Sequence, residues 1–106
     1  MPFSPDAISA FELASGLQAR FVNKLENVAT RHGQSVRFGE TKWLRDEGLH
    51  GGGNRFTAPE GSIFNRATVN VSQIHYDDQP DKKLGSATAI STIIHPGNPH
   101  APSVHI

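Results

Sequence analysis

Between Ser4 and Gly33 the apolar residues Ile8, Phe11, Ala14, Leu17, Phe21, Leu25 and Val28 recur at intervals of three and four. Glu12, Gln18, Arg20, Lys24 and Arg31 fall mostly on other faces. Ser4, Pro5 and Asp6 supply an N-cap, an N1 proline and a first-turn acid; His32 and Gly33 supply a last-turn base and a C′ glycine. The pattern predicts one amphipathic helix of about 28 residues. Its apolar face needs a second layer, which the rest of the chain must provide.

From Ser35 onward the period changes to two. Val36 and Phe38 alternate with polar neighbours, then Trp43 and Leu44 precede a charged turn and glycines 48, 51, 52 and 53, predicting a strand followed by an irregular loop. Arg55, Phe56 and Thr57 begin a second strand that turns at Ala58-Pro59-Glu60-Gly61. Residues 62–76 read as a long strand; its core, Thr68 to His75, is rich in β-branched residues but polar on both faces in places, as a strand lining a wet site is. Residues 77–83 form a hydrophilic connection. Residues 85–95 form the next strand, with Ser86, Thr88, Ile90, Thr92 and Ile94 on one face and Ala87, Ala89, Ser91, Ile93 and His95 on the other.

The last twelve residues place histidines 95, 100 and 105 at five-residue steps among prolines 96, 99 and 102. Each proline fixes φ and removes a backbone donor, so the histidines cannot share a helical face. Pro96-Gly97 suits the centre of a type II turn, with the chain returning antiparallel through Ser103 to Ile106. If residue 95 opposes 103, then 93 opposes 105. That register puts Ser91, His95 and His105 on one face, Ser91 and His95 about 13 Å apart along the strand. Imidazole exchanges protons near neutrality and is the commonest metal ligand, so proton transfer or metal binding is the chemistry to expect there.

At 106 residues the chain is one domain, able to bury roughly 65% of its unfolded surface. Ten basic and ten acidic residues cancel, so no global field draws it to nucleic acid or an anionic membrane. Without cysteine it has no disulfide, thiolate metal site or cysteine nucleophile. The N-terminus lacks a basic segment followed by an apolar core, and no apolar run approaches the roughly 20 residues of a membrane span. A cytoplasmic location is expected.

Ser91-Thr92-Ile93-Ile94-His95-Pro96-Gly97-Asn98-Pro99-His100-Ala101-Pro102-Ser103-Val104-His105 resembles the signature of oxygen-dependent coproporphyrinogen III oxidase, Ser-x-x-x-His-Pro-x-Asn-Pro-[His/Tyr]-x-Pro-[Thr/Ser]-x-His, with complete agreement in spacing. Upstream, Trp43-Leu44-Arg45 resembles the family's Trp-x-Arg before a glycine cluster, and Gly51-Gly52-Gly53-Asn54-Arg55 stands where that cluster lies. Ile63-Phe64-Asn65-Arg66-Ala67-Thr68-Val69-Asn70-Val71-Ser72 resembles Val-Phe-Glu-Lys-Ala-Gly-Val-Asn-x-Ser. There are departures: Gly48-Leu49-His50 is inserted, Asn54 and Thr68 replace glycines, and Asn65 replaces a glutamate. The resemblance covers the N-terminal part of the family's domain, so residues 1–106 read as a single domain that is an N-terminal fragment or a short divergent relative.

The resemblance implies a homodimeric enzyme of haem biosynthesis that converts two propionates of coproporphyrinogen III to vinyls, giving protoporphyrinogen IX. It uses molecular oxygen and no organic cofactor, and releases carbon dioxide and hydrogen peroxide. It implies that Ser91 contacts substrate, that His105 donates a proton, and that His95 and His105 match divalent-metal ligands, Mn²⁺ for example, of some bacterial members. Such a site has two ligands from this chain and needs His75 or a second subunit to complete it. An open sheet of this size also suits a homodimer.

Arg45 and Arg55 bracket the glycines, and guanidinium binds carboxylate bidentately, which makes them candidate propionate ligands. The glycines lack a following Gly-Lys-Ser/Thr and so do not form a phosphate loop. Trp43 reads as core, His100 as packing or a loop hydrogen bond, and Asn98 as a turn cap. The expected fold is α+β: a long N-terminal helix packed on an antiparallel sheet of about four strands. A non-catalytic tetrapyrrole- or metal-binding module, or an inactive fragment of the family, are the alternative functions.

Overall fold

A computed structural model describes residues 4–106 except 77, 80, 82 and 84. Among the described residues the chain forms one α-helix, α1 (Pro5–Arg31), a 3₁₀ turn (Asp46–Gly48) and five strands: β1 (Gly39–Leu44), β2 (Gly51–Thr57), β3 (Phe64–His75), β4 (Ser86–Pro96) and β5 (Val104–His105). The strands make one antiparallel sheet in chain order, so the architecture is the expected α+β arrangement. Part of the expected 77–83 connection lies outside the described residues.

The helix begins and ends where its caps predict. Ser4 Oγ accepts from the Ala7 N–H at 3.4 Å, and Gly33 takes the left-handed conformation at φ +80° that glycine adopts without strain. Its buried face differs from the expected stripe. Ala7, Ala14, Gln18, Val22 and Ala29 are buried, whereas Leu17 is 44% and Val28 37% exposed. The small side chains at 7, 14 and 29 let the helix backbone approach β3 and β4, its two principal neighbours. Gln18, only 2% exposed, donates from Nε2 to Asn54 O at 2.7 Å and to Val69 O at 2.9 Å. Gln73 repeats the device from the sheet, its Nε2 donating to Ala7 O and Thr88 Oγ1. Both amides are buried with their N–H groups satisfied, which offsets their desolvation.

Three other expectations shift. Val36 and Phe38 enter the core but precede the ladder, which starts at Gly39; the Phe38 ring meets Phe64 edge-on at 6.0 Å. Glycines 51–53 form the start of β2 rather than a loop, because a side chain at Gly53 would occupy the space of the Trp43 indole and one at Gly52 would strike the Trp43 backbone. Arg55-Phe56-Thr57 therefore ends β2 instead of beginning a strand. Gly97 is not left-handed, so no type II turn forms at Pro96-Gly97. Pro96 closes β4 and the Gly97 N–H donates to Ile63 O at 2.8 Å. Asn98 does brace the loop: its Oδ1 accepts from the His100 N–H at 2.9 Å.

The helix covers one side of the sheet, and among the described residues no element packs on the other, which is bare. The radius of gyration, 16.1 Å, exceeds the roughly 13 Å of a compact domain this long, as a single-layered sheet face requires.

Candidate functional site

The side of each strand that lies against α1 carries Val69, Val71 and Ile94, all buried. Strand alternation sends the intervening residues to the bare side. There the ladder aligns Arg55, Asn70 and Ser91 on one rung and Thr57, Thr68, Ile93 and His105 on the next, while Arg66 opposes His95 further along. The pairing of Ile93 with His105 is the register anticipated from the sequence.

These rungs form a cavity of about 630 Å³ lined by Arg55, Thr57, Arg66, Thr68, Asn70, Ser91 and Ile93, with Ala58, Glu60, Asn65 and Ala67 completing its wall. His105, opposite Ile93, and His95, opposite Arg66, are not part of that lining but follow it on the same face as diagonal neighbours across β4 and β5. Their Nε2 atoms are 2.6 Å apart and their rings stack at 4.9 Å with 16° between planes. One nitrogen donates to the other. His105 is also the diagonal neighbour of Ser91, about 7–8 Å away by strand geometry.

The structure thus brings Ser91, Arg55, His95 and His105 to one face. Arg45 is elsewhere: it follows β1, its N–H donates to Gly51 O at 2.8 Å, and Gly51 lies four residues, about 13 Å, from Arg55 along β2. His100 sits exposed on the loop after β4. Trp43, half-buried, lies over Gly53 and lines a second cavity together with Phe11, Ser15 and Gln73.

The histidine pair does not fit a metal centre. Two ligands of a tetrahedral ion at 2.0–2.1 Å stand about 3.3 Å apart, further than the hydrogen-bonded nitrogens here. Among the described residues no group of three or more metal-ligating side chains gathers. His75 gives no third ligand: it is buried on the helix side, at the other end of β3, lining a separate cavity of about 360 Å³.

Two groups escape a reading of the sequence. Asn70 lies on the cavity floor with its Oδ1 buried and without a hydrogen-bond partner; the alternation of Thr68, Asn70 and Ser72 is its signal. The other is His50, buried beyond the far end of β1. Its Nδ1 meets Asp46 Oδ2 at 2.6 Å and its Nε2 lies 3.2 Å from both Asp78 carboxylate oxygens, with the Tyr76 ring at 4.9 Å. The Asp46 hydrogen bond, with lesser help from Asp78 and against the cost of burial, raises its pKa above the usual 6.5. Nothing local in the sequence pairs residue 50 with residue 78.

Residues 10–106 match the family model for coproporphyrinogen III oxidase. Oxygen-dependent coproporphyrinogen-III oxidase of Prochlorococcus marinus (strain MIT 9313) is 36% identical over 107 residues, covering 92% of this chain and 29% of that enzyme. The enzyme of the same name from P. marinus (strain AS9601) is 36% identical over 100 residues, covering 85% and 28%. That of Synechococcus sp. (strain CC9605) is 32% identical over 116 residues, covering 100% and 30%. No solved structure matches. The chain spans less than a third of the length of these curated relatives, and it belongs to the coproporphyrinogen III oxidase family.

Proposed function

We propose that the bare sheet face binds coproporphyrinogen III and takes part in the oxidative decarboxylation of its propionates. The observation that carries this reading is the convergence of Ser91, Arg55 and the His95–His105 pair on one open face. The relatives' printed name supports the substrate and the oxygen requirement.

For each ionised propionate, one C–H bond and the C–C bond to the carboxylate break, a vinyl group forms, and carbon dioxide leaves. Two electrons pass to molecular oxygen, which with that hydrogen and one added proton becomes hydrogen peroxide. The reduced macrocycle is itself electron-rich, so no organic cofactor is needed. His105 is the proton donor: an imidazole operates near neutral pH, and its bond to His95 orients the ring. Ser91 Oγ donates to a substrate carboxylate, and Arg55 binds one through its guanidinium fork. Arg45, at the far end of the sheet, is outside this set. We further propose that the chain acts in the cytoplasm as a homodimer, which light scattering at micromolar concentration tests: a monomer counts against it.

Incubating coproporphyrinogen III with the chain without oxygen, then admitting oxygen, should yield protoporphyrin fluorescence after chemical oxidation. Its absence overturns the enzymatic reading. The chain's coverage of less than a third of its relatives favours one alternative, a binding module without turnover, and calorimetric titration with coproporphyrin detects that case as heat without product.

A further inference from the structure

Arg55 and Arg66 both line the 630 Å³ cavity, and among the described residues neither takes part in a hydrogen bond or ion pair. Arg55 opposes Asn70 on β3, so Arg66 stands four residues, about 13 Å, further along that strand on the same face. With their backbone positions this far apart on one face, the two unpaired arginines can each take a carboxylate of their own. Between them lie Thr68, the unpartnered Asn70 Oδ1 and, on β4, Ser91 and Ile93, a floor of uncharged groups. Only Glu60, on the wall, opposes the positive charge, and it is not within ion-pair distance of either arginine.

We infer that Arg66 is a second carboxylate anchor, and that Arg55 and Arg66 grip two carboxylates on different edges of one tetrapyrrole lying across the Asn70–Ser91 rung. The inference rests on the proposed tetrapyrrole site and adds to it the residue that sets the ligand's orientation. Arg66 opposes His95, so the carboxylate it holds is the one nearest the histidine pair. The buried Asn70 acceptor gains a partner when the ligand supplies an N–H, as a pyrrole ring does.

The test is fluorescence titration of the 106-residue chain with coproporphyrin III and with its uncharged tetramethyl ester, in the wild type, Arg66→Ala, Arg55→Ala, the double variant and Arg66→Lys. Circular dichroism checks each fold. Each alanine variant should weaken coproporphyrin III binding about tenfold, and the double variant about a hundredfold, because the two carboxylates are bound independently. Ester binding should not change, and Arg66→Lys should restore part of the loss. Coproporphyrin III bound by Arg66→Ala as tightly as by wild type overturns the inference and leaves the site reading intact. Failure of the folded wild type to bind coproporphyrin III overturns both.

Discussion

His95 and His105 meet Nε2 to Nε2 at 2.6 Å, ring over ring, because His105 opposes Ile93 and so falls diagonally beside His95 on the bare face of the sheet. A hydrogen bond between two imidazole nitrogens uses one proton, one ring donating and the other accepting. Each ring thereby fixes the tautomer of the other. Among the described residues the second nitrogen of His105 has no partner, so it can work on a ligand beside Ser91.

From that relationship, His105→Asn should lower coproporphyrinogen III turnover by about 10²- to 10⁴-fold, the usual value of a positioned proton donor. His95→Asn should lower it by up to about 10²-fold through misplacement of His105. His105 is exposed on the edge strand β5 and His95 lies half-buried near the end of β4, so thermal unfolding should change little, by roughly 0.5 kcal/mol or less. Equal turnover in His105→Asn and wild type refutes the assignment.

Ser91 faces the cavity between Ala89 and Ile93 with Asn70 across the ladder. Ser91→Ala removes one hydrogen bond and should weaken coproporphyrin III binding by about fivefold. Ser91→Leu keeps the strand but fills the floor, and should abolish binding with little loss of stability, since the face is open to solvent. Titration of both variants by porphyrin fluorescence checks the order. Leucine binding as well as alanine places the ligand elsewhere.

What a sequence discloses follows the range of the interactions involved. Ser4-Pro5-Asp6 and His32-Gly33 bound α1 because capping acts within one turn, and the β4–β5 register follows from alternation across a short return. The buried stripe of α1 departs from the apolar one because hydrophobicity ranks Leu17 above Gln18. In the fold, close approach to the sheet and two backbone acceptors on β2 and β3 reverse that ranking. Glycines 51–53 resemble a loop because the reason for them, the Trp43 indole on the neighbouring strand, acts across a ladder that one strand does not display. Arg66 and Asn70 gain meaning only when strand pairing sets them on the floor that Ser91 shares.

The glycines make opposite predictions. Gly53→Ala drives a Cβ into the Trp43 indole and should destabilise the chain by about 1–3 kcal/mol. Gly16 sits inside α1 with nothing within 4 Å of where an added Cβ would lie, so Gly16→Ala should stabilise it by about 0.5–1 kcal/mol, the helix-propensity difference. For a domain of this size the two should move Tm in opposite directions, by about 4–8 °C per kcal/mol. A rise in Tm for Gly53→Ala contradicts the packing of Trp43.

His50 makes stability depend on pH in a definite direction. Its pKa is raised in the folded chain, first by the Asp46 hydrogen bond and then by Asp78, against desolvation. Those two carboxylates, with the Tyr76 ring and the Gln79 amide at 3.4 Å, face the imidazole from the 3₁₀ turn and from the segment after β3. Because the folded state binds this proton more tightly than the unfolded state, stability from His50 is fully present below the unfolded value of about 6.5 and is lost as pH rises through the higher folded value. Urea unfolding of wild type and His50→Gln should therefore differ most near about pH 6 and converge at alkaline pH. Asp46→Asn removes the largest cause of the shift, so it should flatten the wild-type slope over the same window while leaving porphyrin binding at the far end of the sheet unchanged. A difference between wild type and His50→Gln that grows with pH means the imidazole is held neutral, and the pairing with Asp46 and Asp78 is then not the one that stabilises this turn.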